Sequence, residues 1–259
     1  MTRIAITGAA GNVGRTLLKG FDDHDVTPLV HGDENDIDGI VCDVTDREAF
    51  TEALAGQDVL VHLAGNASAY ADWDDVRGVN IDGVYNAYEA AIDNGLDRVV
   101  YASSNHAVNV DDVVDPSEPE TMKSDAPTVF SDTDARPDSY YGITKVAGEA
   151  IGNYYAARHD IEVVHARIGW LMDREELRDT QENPDHEYPE AYARFARAMW
   201  LSHRDCRDFL ERAATAELAE SPIAAHGVSR NDERYLSLTE TQRALGYRPR
   251  DNAGEALEN

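Results

Sequence analysis

Lysine is nearly missing from this chain of 259 residues: Lys19, Lys123 and Lys145 stand against twenty arginines. Basic charge of any kind is scarce, with 23 Lys and Arg against 50 Asp and Glu and a net charge of −27. That excludes a nucleic-acid binder, which needs a basic stripe. Cysteine is limited to Cys42 and Cys206, far apart in the chain. Two isolated thiols make neither a disulfide framework nor a metal spacing, so a reducing cytoplasm is expected. No apolar run reaches spanning length, and Met1 leads straight into an apolar strand, so neither a membrane helix nor a leader is expected. Calcium-loop spacing is missing too. DENDID (33–38) comes nearest, without the loop glycine or the distal glutamate.

What is present is a hydrophobic content of 42%, enough to bury a core, and acids spread along the chain among apolar runs. A disordered acidic tail would be a block instead. Acidic excess with lysine scarcity fits adaptation to molar salt, where the Debye length shrinks to roughly 3 Å at 1 M and self-repulsion fades. The expected setting is the cytoplasm of an extreme halophile. On a surface cleared of lysine, Lys145 then calls for a task that arginine cannot perform, such as a compact ammonium close to a ribose or a phenol.

Apolar runs at 3–8, 26–30, 39–44, 58–65, 98–104 and 161–169 alternate with helical spacings at 12–21, 46–56, 72–93 and 139–158. Pro28 marks the second run as an edge or an irregularity. The alternation predicts an α/β fold: a Rossmann-type, doubly wound parallel sheet with helices on both faces. After Gly169 the pattern breaks. Residues 173–190, with Pro184 and Pro189, read as a loop, followed by helices at 191–200 and 203–219, a strand near 223–228 and SLTETQRALGY (237–247). The expected division is a dinucleotide-binding core with the catalytic helix over 1–169 and a small C-terminal substrate lobe over 170–259, on the carboxyl edge of the sheet where open α/β folds bind ligands.

ITGAAGNVG (6–14) places Gly8, Gly11 and Gly14, with Asn12 and Val13 between the last two, at the junction of the first strand and first helix. The first glycine turns tightly, the second admits a pyrophosphate to the backbone, and the third lets helix and strand pack. Farther on, SYYGITKVAGE (139–149) puts Tyr141 and Lys145 four apart, on one helix face and about 6 Å along the axis. A phenol near pKa 10 is a poor base at neutral pH, and a nearby ammonium stabilises its anion. Taken alone, without the glycine loop, this pair reads better as an ordinary helix pair.

The Gly-x-x-Gly-x-x-Gly spacing, then YASSN (101–105), then YYGITK (140–145) resembles the extended short-chain dehydrogenases/reductases over nearly the whole chain. The resemblance implies Tyr141 as acid/base, Ser104 as the hydroxyl that holds the reacting oxygen, and Lys145 as the group that lowers the phenol pKa and bonds the nicotinamide ribose. It implies Asp43 and Val44 of CDV at the adenine, Leu63, Ala64 and Gly65 along the nicotinamide ribose, and Ile168 on the cofactor side. The family's ribose-binding acid is replaced by Val30 and His31, which favours NADP over NAD, with Asp33 as a further ribose candidate. SSNHAV (103–108), RIGWLM (167–172), AMWLSHRD (198–205) and LGYRPRDNA (245–253) look like uronate dehydrogenase and the haloarchaeal sugar 1-dehydrogenases, which act on L-arabinose or glucose 6-phosphate. This places Ala67, Ser68, Ser104, Asn105, His106, Tyr141, Trp170 and Arg197 around a sugar whose anomeric C1 hydroxyl is oxidised to a lactone.

Phe195 stands where uronate dehydrogenase has an arginine, so a neutral aldopentose such as L-arabinose comes first. Glucose 6-phosphate and uronates stay open through Arg194 and Arg197. A sugar-nucleotide epimerase and a non-enzymatic NADP sensor are the other readings. The histidines, including His24, His62, His203 and His226, show no ligand spacing, so no metal is expected. A homodimer is expected by analogy only.

Overall fold

In the computed structural model, which describes residues 1–32, 36–183 and 185–258, the apolar runs become β1 (Arg3–Thr7), β2 (Asp25–Val30), β3 (Ile40–Val41), β4 (Val59–His62), β5 (Arg98–Ser104) and β6 (Glu162–Ile168). Between them lie α1 (Asn12–Leu17), α2 (Arg47–Ala53), α3 (Trp73–Arg77), α4 (Gly83–Asn94) and α5 (Tyr140–Ala156). Then follow β7 (Trp170–Leu171), α6 (Arg174–Gln181), α7 (Pro189–Met199), β8 (Trp200–Leu201), α8 (His203–Thr215), β9 (Ile223–Gly227), α9 (Thr239–Leu245) and α10 (Ala253–Glu258).

The central sheet has the order β3-β2-β1-β4-β5-β6-β9, with every pair parallel. Side chains alternate between its faces, as the strand period of two requires. Ile4, Ile6, Val100, Ala102, Val164 and Ala166 pack with Leu17 of α1 and Phe209, Leu210 and Ala213 of α8. Ala5, Leu60, Val99, Tyr101 and Val163 pack with Phe50 of α2, Ala87, Tyr88 and Ala91 of α4 and Tyr155 of α5. Both faces are covered, which explains the unbroken apolar strands. Pro28 pairs only with β1, because β3 reaches no farther than Leu29 and Val30.

Beyond residue 169 the chain serves two places. β9 hydrogen-bonds to β6 as the seventh strand and α8 lies on the sheet, whereas α6, α7, α10 and the β7–β8 pair form a smaller cluster around Met172, Leu177, Ala196 and Trp200. The loop expected over 173–190 is partly a helix. Asp173 accepts the Glu175 and Glu176 amides at 2.8 and 2.9 Å, and the Glu176 carboxylate accepts the Asp173 amide at 2.7 Å. This reciprocal cap starts α6, whose fully buried Leu177 anchors an otherwise polar turn. Pro189 opens α7 at its first position, where a proline loses no helical hydrogen bond. Pro184 lies outside the described residues.

Candidate active site

Chain order reverses at β1, between β2 and β4, and a crevice opens beyond the strand ends there, as expected of an open α/β sheet. The junction is fastened by Thr7. Its hydroxyl accepts the Leu63 and Ala64 amides at 3.0 and 3.1 Å and donates to His62 Nδ1 at 2.9 Å. Burial pushes His62 down to about 3, so its ring is neutral and structural.

Gly8 adopts φ +64°, and a Cβ at Gly14 would come within 2.5 Å of the Gly8 carbonyl oxygen. Helix and turn therefore touch through bare backbone. Beside them is a cavity of about 570 Å³ lined by Gly8, Gly11, His31, Asp43, Val44, Leu63, Ala64 and Gly65 among others. Its glycine floor, the apolar walls of Leu29, Val30 and Val79, and the polar His31 and Asp43 suit a dinucleotide. Asp43 spends one oxygen on the Thr45 amide and hydroxyl, at 2.9 and 2.7 Å. Asp33 lies outside the described residues.

Leu63 and Gly65 also border a second cavity of about 280 Å³, which Asn12, Val13, Ala67, Ser104, Asn105, His106, Glu120, Tyr141, Lys145, Ile168, Trp170 and Phe195 help to line. The two spaces form one bent cleft. α5 starts on Ser139, whose hydroxyl accepts the Gly142 amide at 3.0 Å, and this aims the first turn into the cleft. Lys145 Nζ donates to the Ala102 carbonyl at 2.7 Å and stands 5.3 Å from the centre of the Tyr141 ring. One turn on, buried Glu149 accepts from Ser103 at 2.5 Å and from two nitrogens of Arg167 at 2.9 Å, tying α5 to β5 and β6.

Burial pushes Tyr141 up to about 12, and the Ser104 hydroxyl bond opposes it. Burial also pulls Lys145 down to about 8, against the pull of Glu149. The expectation of a lowered phenol pKa is therefore not met in this state, because desolvation of the phenolate outweighs its stabilisation. Lys145 still carries its proton at neutral pH.

At the far end, the Asp138 side chain is fully buried and takes three donors. Its Oδ2 faces His106 Nδ1 and Asn109 Nδ2, each at 2.8 Å, and its Oδ1 accepts from Ser139 at 2.8 Å. With Nδ1 facing Asp138, Nε2 of His106 is left for the cavity. Asn105 lines the cavity wall beside it. Trp170 lines the cavity with its ring 5.9 Å from Phe195, while Trp200 is core and donates to the Met172 carbonyl at 2.9 Å. Tyr140 turns outward against Trp73.

Two expected contacts are not brought together with the rest. Ser68 is exposed, and its amide bonds Asn66 Oδ1 at 3.1 Å. Arg197 is turned to Glu233 at 2.8 Å and Gln181 at 2.6 Å, because it lies on the side of α7 away from Phe195. Arg194 donates to the Met122 carbonyl at 2.9 Å instead of reaching the cavity. Three other residues went unnoticed in the sequence. Glu120 lines the wall and Asp138 orients His106, both from a long irregular segment. Asn80 fastens the Gly65–Asn66 turn by accepting the Asn66 amide at 2.8 Å and donating to its carbonyl at 2.9 Å. It sits in a single π-turn, Gly78–Asp82, a distortion that often marks functional sites.

Comparison with known proteins agrees with this geometry. The chain is 51% identical to L-arabinose 1-dehydrogenase (NAD(P)(+)) of Haloferax volcanii over the full length of both. It is 36% identical to the NAD-dependent glucose-6-phosphate dehydrogenase of the same organism, covering 97% of this chain and 94% of that one. The crystal structure of glucuronic acid dehydrogenase from Chromohalobacter salexigens superposes with a TM-score of 0.79 at 28% identity, over 99% of this chain and 88% of that chain. The family model described as NAD dependent epimerase/dehydratase matches residues 4–217. The chain belongs to the NAD-dependent epimerase/dehydratase family.

Proposed function

We propose that this protein is an aldose 1-dehydrogenase that oxidises the C1 hydroxyl of a neutral aldopentose such as L-arabinose to the aldonolactone, with NADP or NAD. The observation that carries this reading is the cleft itself. Ser104, Tyr141 and Lys145 meet where the dinucleotide cavity joins a small second cavity, and the cationic side chain on its wall is Lys145, among the described residues. The full-length likeness to an L-arabinose dehydrogenase supports the substrate class.

Gly8, Gly11, Asn12, Val13, His31, Asp43, Val44, Leu63, Ala64, Gly65, Lys145 and Ile168 would hold the dinucleotide, with Gly14 setting the approach of α1. When bound, the nicotinamide supplies the hydride acceptor. Tyr141 takes the proton of the C1 hydroxyl as C1 gives up its hydride, so the sugar loses two electrons and two hydrogens and becomes a lactone. Ser104 fixes the reacting oxygen between its own hydroxyl and Tyr141. Lys145, charged at neutral pH, favours the phenolate form. Asn105 and His106 would bond the sugar hydroxyls, with Ala67 and Trp170 as walls. The core of 1–169 carries the chemistry, while 170–259 adds the Trp170 and Phe195 wall. The charge balance supports a cytoplasm rich in salt as the working medium.

Initial rates of nicotinamide reduction in molar potassium chloride test this reading. L-arabinose, D-xylose, D-glucose, glucose 6-phosphate and D-glucuronate are compared with NADP and with NAD. The highest kcat/KM is expected with L-arabinose, and a preference for either anionic sugar refutes the assignment.

Asp138→Leu is a second check. Its side chain accepts from none of the three donors that the carboxylate holds, so His106 loses its orientation. KM for the sugar is expected to rise about tenfold with cofactor affinity unchanged; an unaltered KM removes Asp138 and His106 from the sugar site.

A further inference from the structure

We propose that Glu120 determines substrate specificity: its carboxylate accepts hydrogen bonds from hydroxyls of a neutral sugar and bars carboxylated or phosphorylated sugars from the cavity. This inference rests on the sugar-oxidising reading of the same cleft.

Glu120 lines the 280 Å³ cavity together with Tyr141 and Lys145 of α5. It comes from the long irregular segment between the 3₁₀ turn Asn105–Ala107 and α5, yet its backbone is fixed on both sides. The Pro119 carbonyl accepts from Asn109 at 3.1 Å, and fully buried Thr121 donates to the Glu118 carbonyl at 2.7 Å. Met122 is tied to α7 at both ends of its peptide, by its amide to Ala191 at 3.1 Å and by its carbonyl to Arg194 at 2.9 Å. Glu118 is engaged by Tyr70 at 3.3 Å and by His186 at 3.6 Å. The Glu120 carboxylate, unlike that of Glu118, makes no hydrogen bond or ion pair with the described residues, although its neighbours include His106, Asp138, Glu118, Tyr70 and Tyr192.

Glu120 is half-buried, and that burial raises its pKa. A partly desolvated acceptor without a protein donor gains from an O–H that a ligand brings. For the same reason it repels a second anion: two unit charges about 5 Å apart at an effective dielectric near 20 disfavour binding on the order of 100-fold. The cation on the wall, Lys145, is held by the Ala102 carbonyl, Phe195 fills the position beside His106, and both arginines of α7 are engaged elsewhere.

The test compares wild type with Glu120→Gln, which keeps the shape and removes the charge. L-arabinose, D-galactose and D-galacturonate share their ring configuration from C1 to C4 and carry hydrogen, CH₂OH and COO⁻ at C5. Rates are taken with NADP, and calorimetry reads sugar binding to the protein–NADP complex in parallel. In E120Q, KM for L-arabinose is expected to rise about tenfold with kcat within about threefold of wild type. The ratio of galacturonate to galactose, in kcat/KM or in affinity, is expected to rise at least tenfold. An unchanged ratio in a folded E120Q that binds NADP normally overturns the role of Glu120 while leaving aldose oxidation intact. If wild type oxidises none of the sugars, the proposed function fails and the binding ratio still judges Glu120; binding of galacturonate as tight as that of galactose to wild type overturns it outright.

Discussion

Tyr141→Phe is expected to lower kcat by about 10²–10⁴-fold, the usual contribution of a positioned acid–base group, while dinucleotide binding stays at the wild-type level. The hydroxyl removed is the one bonded to Ser104, and the ring it sits on stays packed beside His106, 5.7 Å away, so the cavity keeps its shape. No other side chain there substitutes easily. His106 is turned to Asp138, and Lys145 is occupied by the Ala102 carbonyl. The pH dependence has a definite sign. The phenol must lose a proton to act, and burial holds it up at about 12, so its active fraction grows tenfold per pH unit from neutrality. The rise flattens as Lys145 loses its own proton near 8, because a neutral amine no longer favours the phenolate. Y141F should show neither the rate nor the rise. Initial rates across pH 6–9 and an NADP titration measure both, and a variant with a tenth of wild-type turnover would displace Tyr141 as the base.

Transfer from about 2 M to about 0.1 M potassium chloride is expected to unfold the protein, or to lower its melting temperature by on the order of 10–20 °C. An excess of 27 negative charges must be held on one surface. At 0.1 M the Debye length grows to roughly 10 Å, so neighbouring carboxylates repel each other across the surface. A few tenths of a kcal/mol for each excess charge already rivals a total stability of about 5–15 kcal/mol. Exposed ion pairs such as Arg15–Asp36, Arg136–Asp111 and Arg230–Glu255 offer little relief. Melting followed by circular dichroism at both salt concentrations decides it, and coincident curves would rule out salt adaptation.

The strands and the proposed reactive groups were legible because each depends on local pattern. The apolar runs that became β1, β4, β5 and β6, the three-glycine turn and the Tyr141–Lys145 pair need only neighbours within a few residues. α6 was not legible, because Leu177 is its one buried large apolar side chain and its start depends on a cap. Glu120 and Asp138 were hidden for another reason. In an irregular segment no period says which acid turns inward, and only the fixed backbone around them does. Arg197 was misjudged where a period did exist. On a helix it lies about 200° round from Phe195, so an inward Phe195 sends it out. The role of β9 needed long-range pairing that no local window contains.

That last strand bears on how the protein is made. β6 carries Ile168 at the cleft and pairs on one side with β5, but its other neighbour is drawn from residues 223–227. A nascent chain that has emerged only as far as Gly169 owns the glycine turn, Ser104, Tyr141 and Lys145, yet β6 is still an open edge and the sheet face that α1 shares with α8 is only partly covered. Open parallel edges are where newly made chains associate wrongly. Synthesis thus delivers the proposed reactive groups well before the shelter they need, and that edge stays open until the final quarter of the chain arrives.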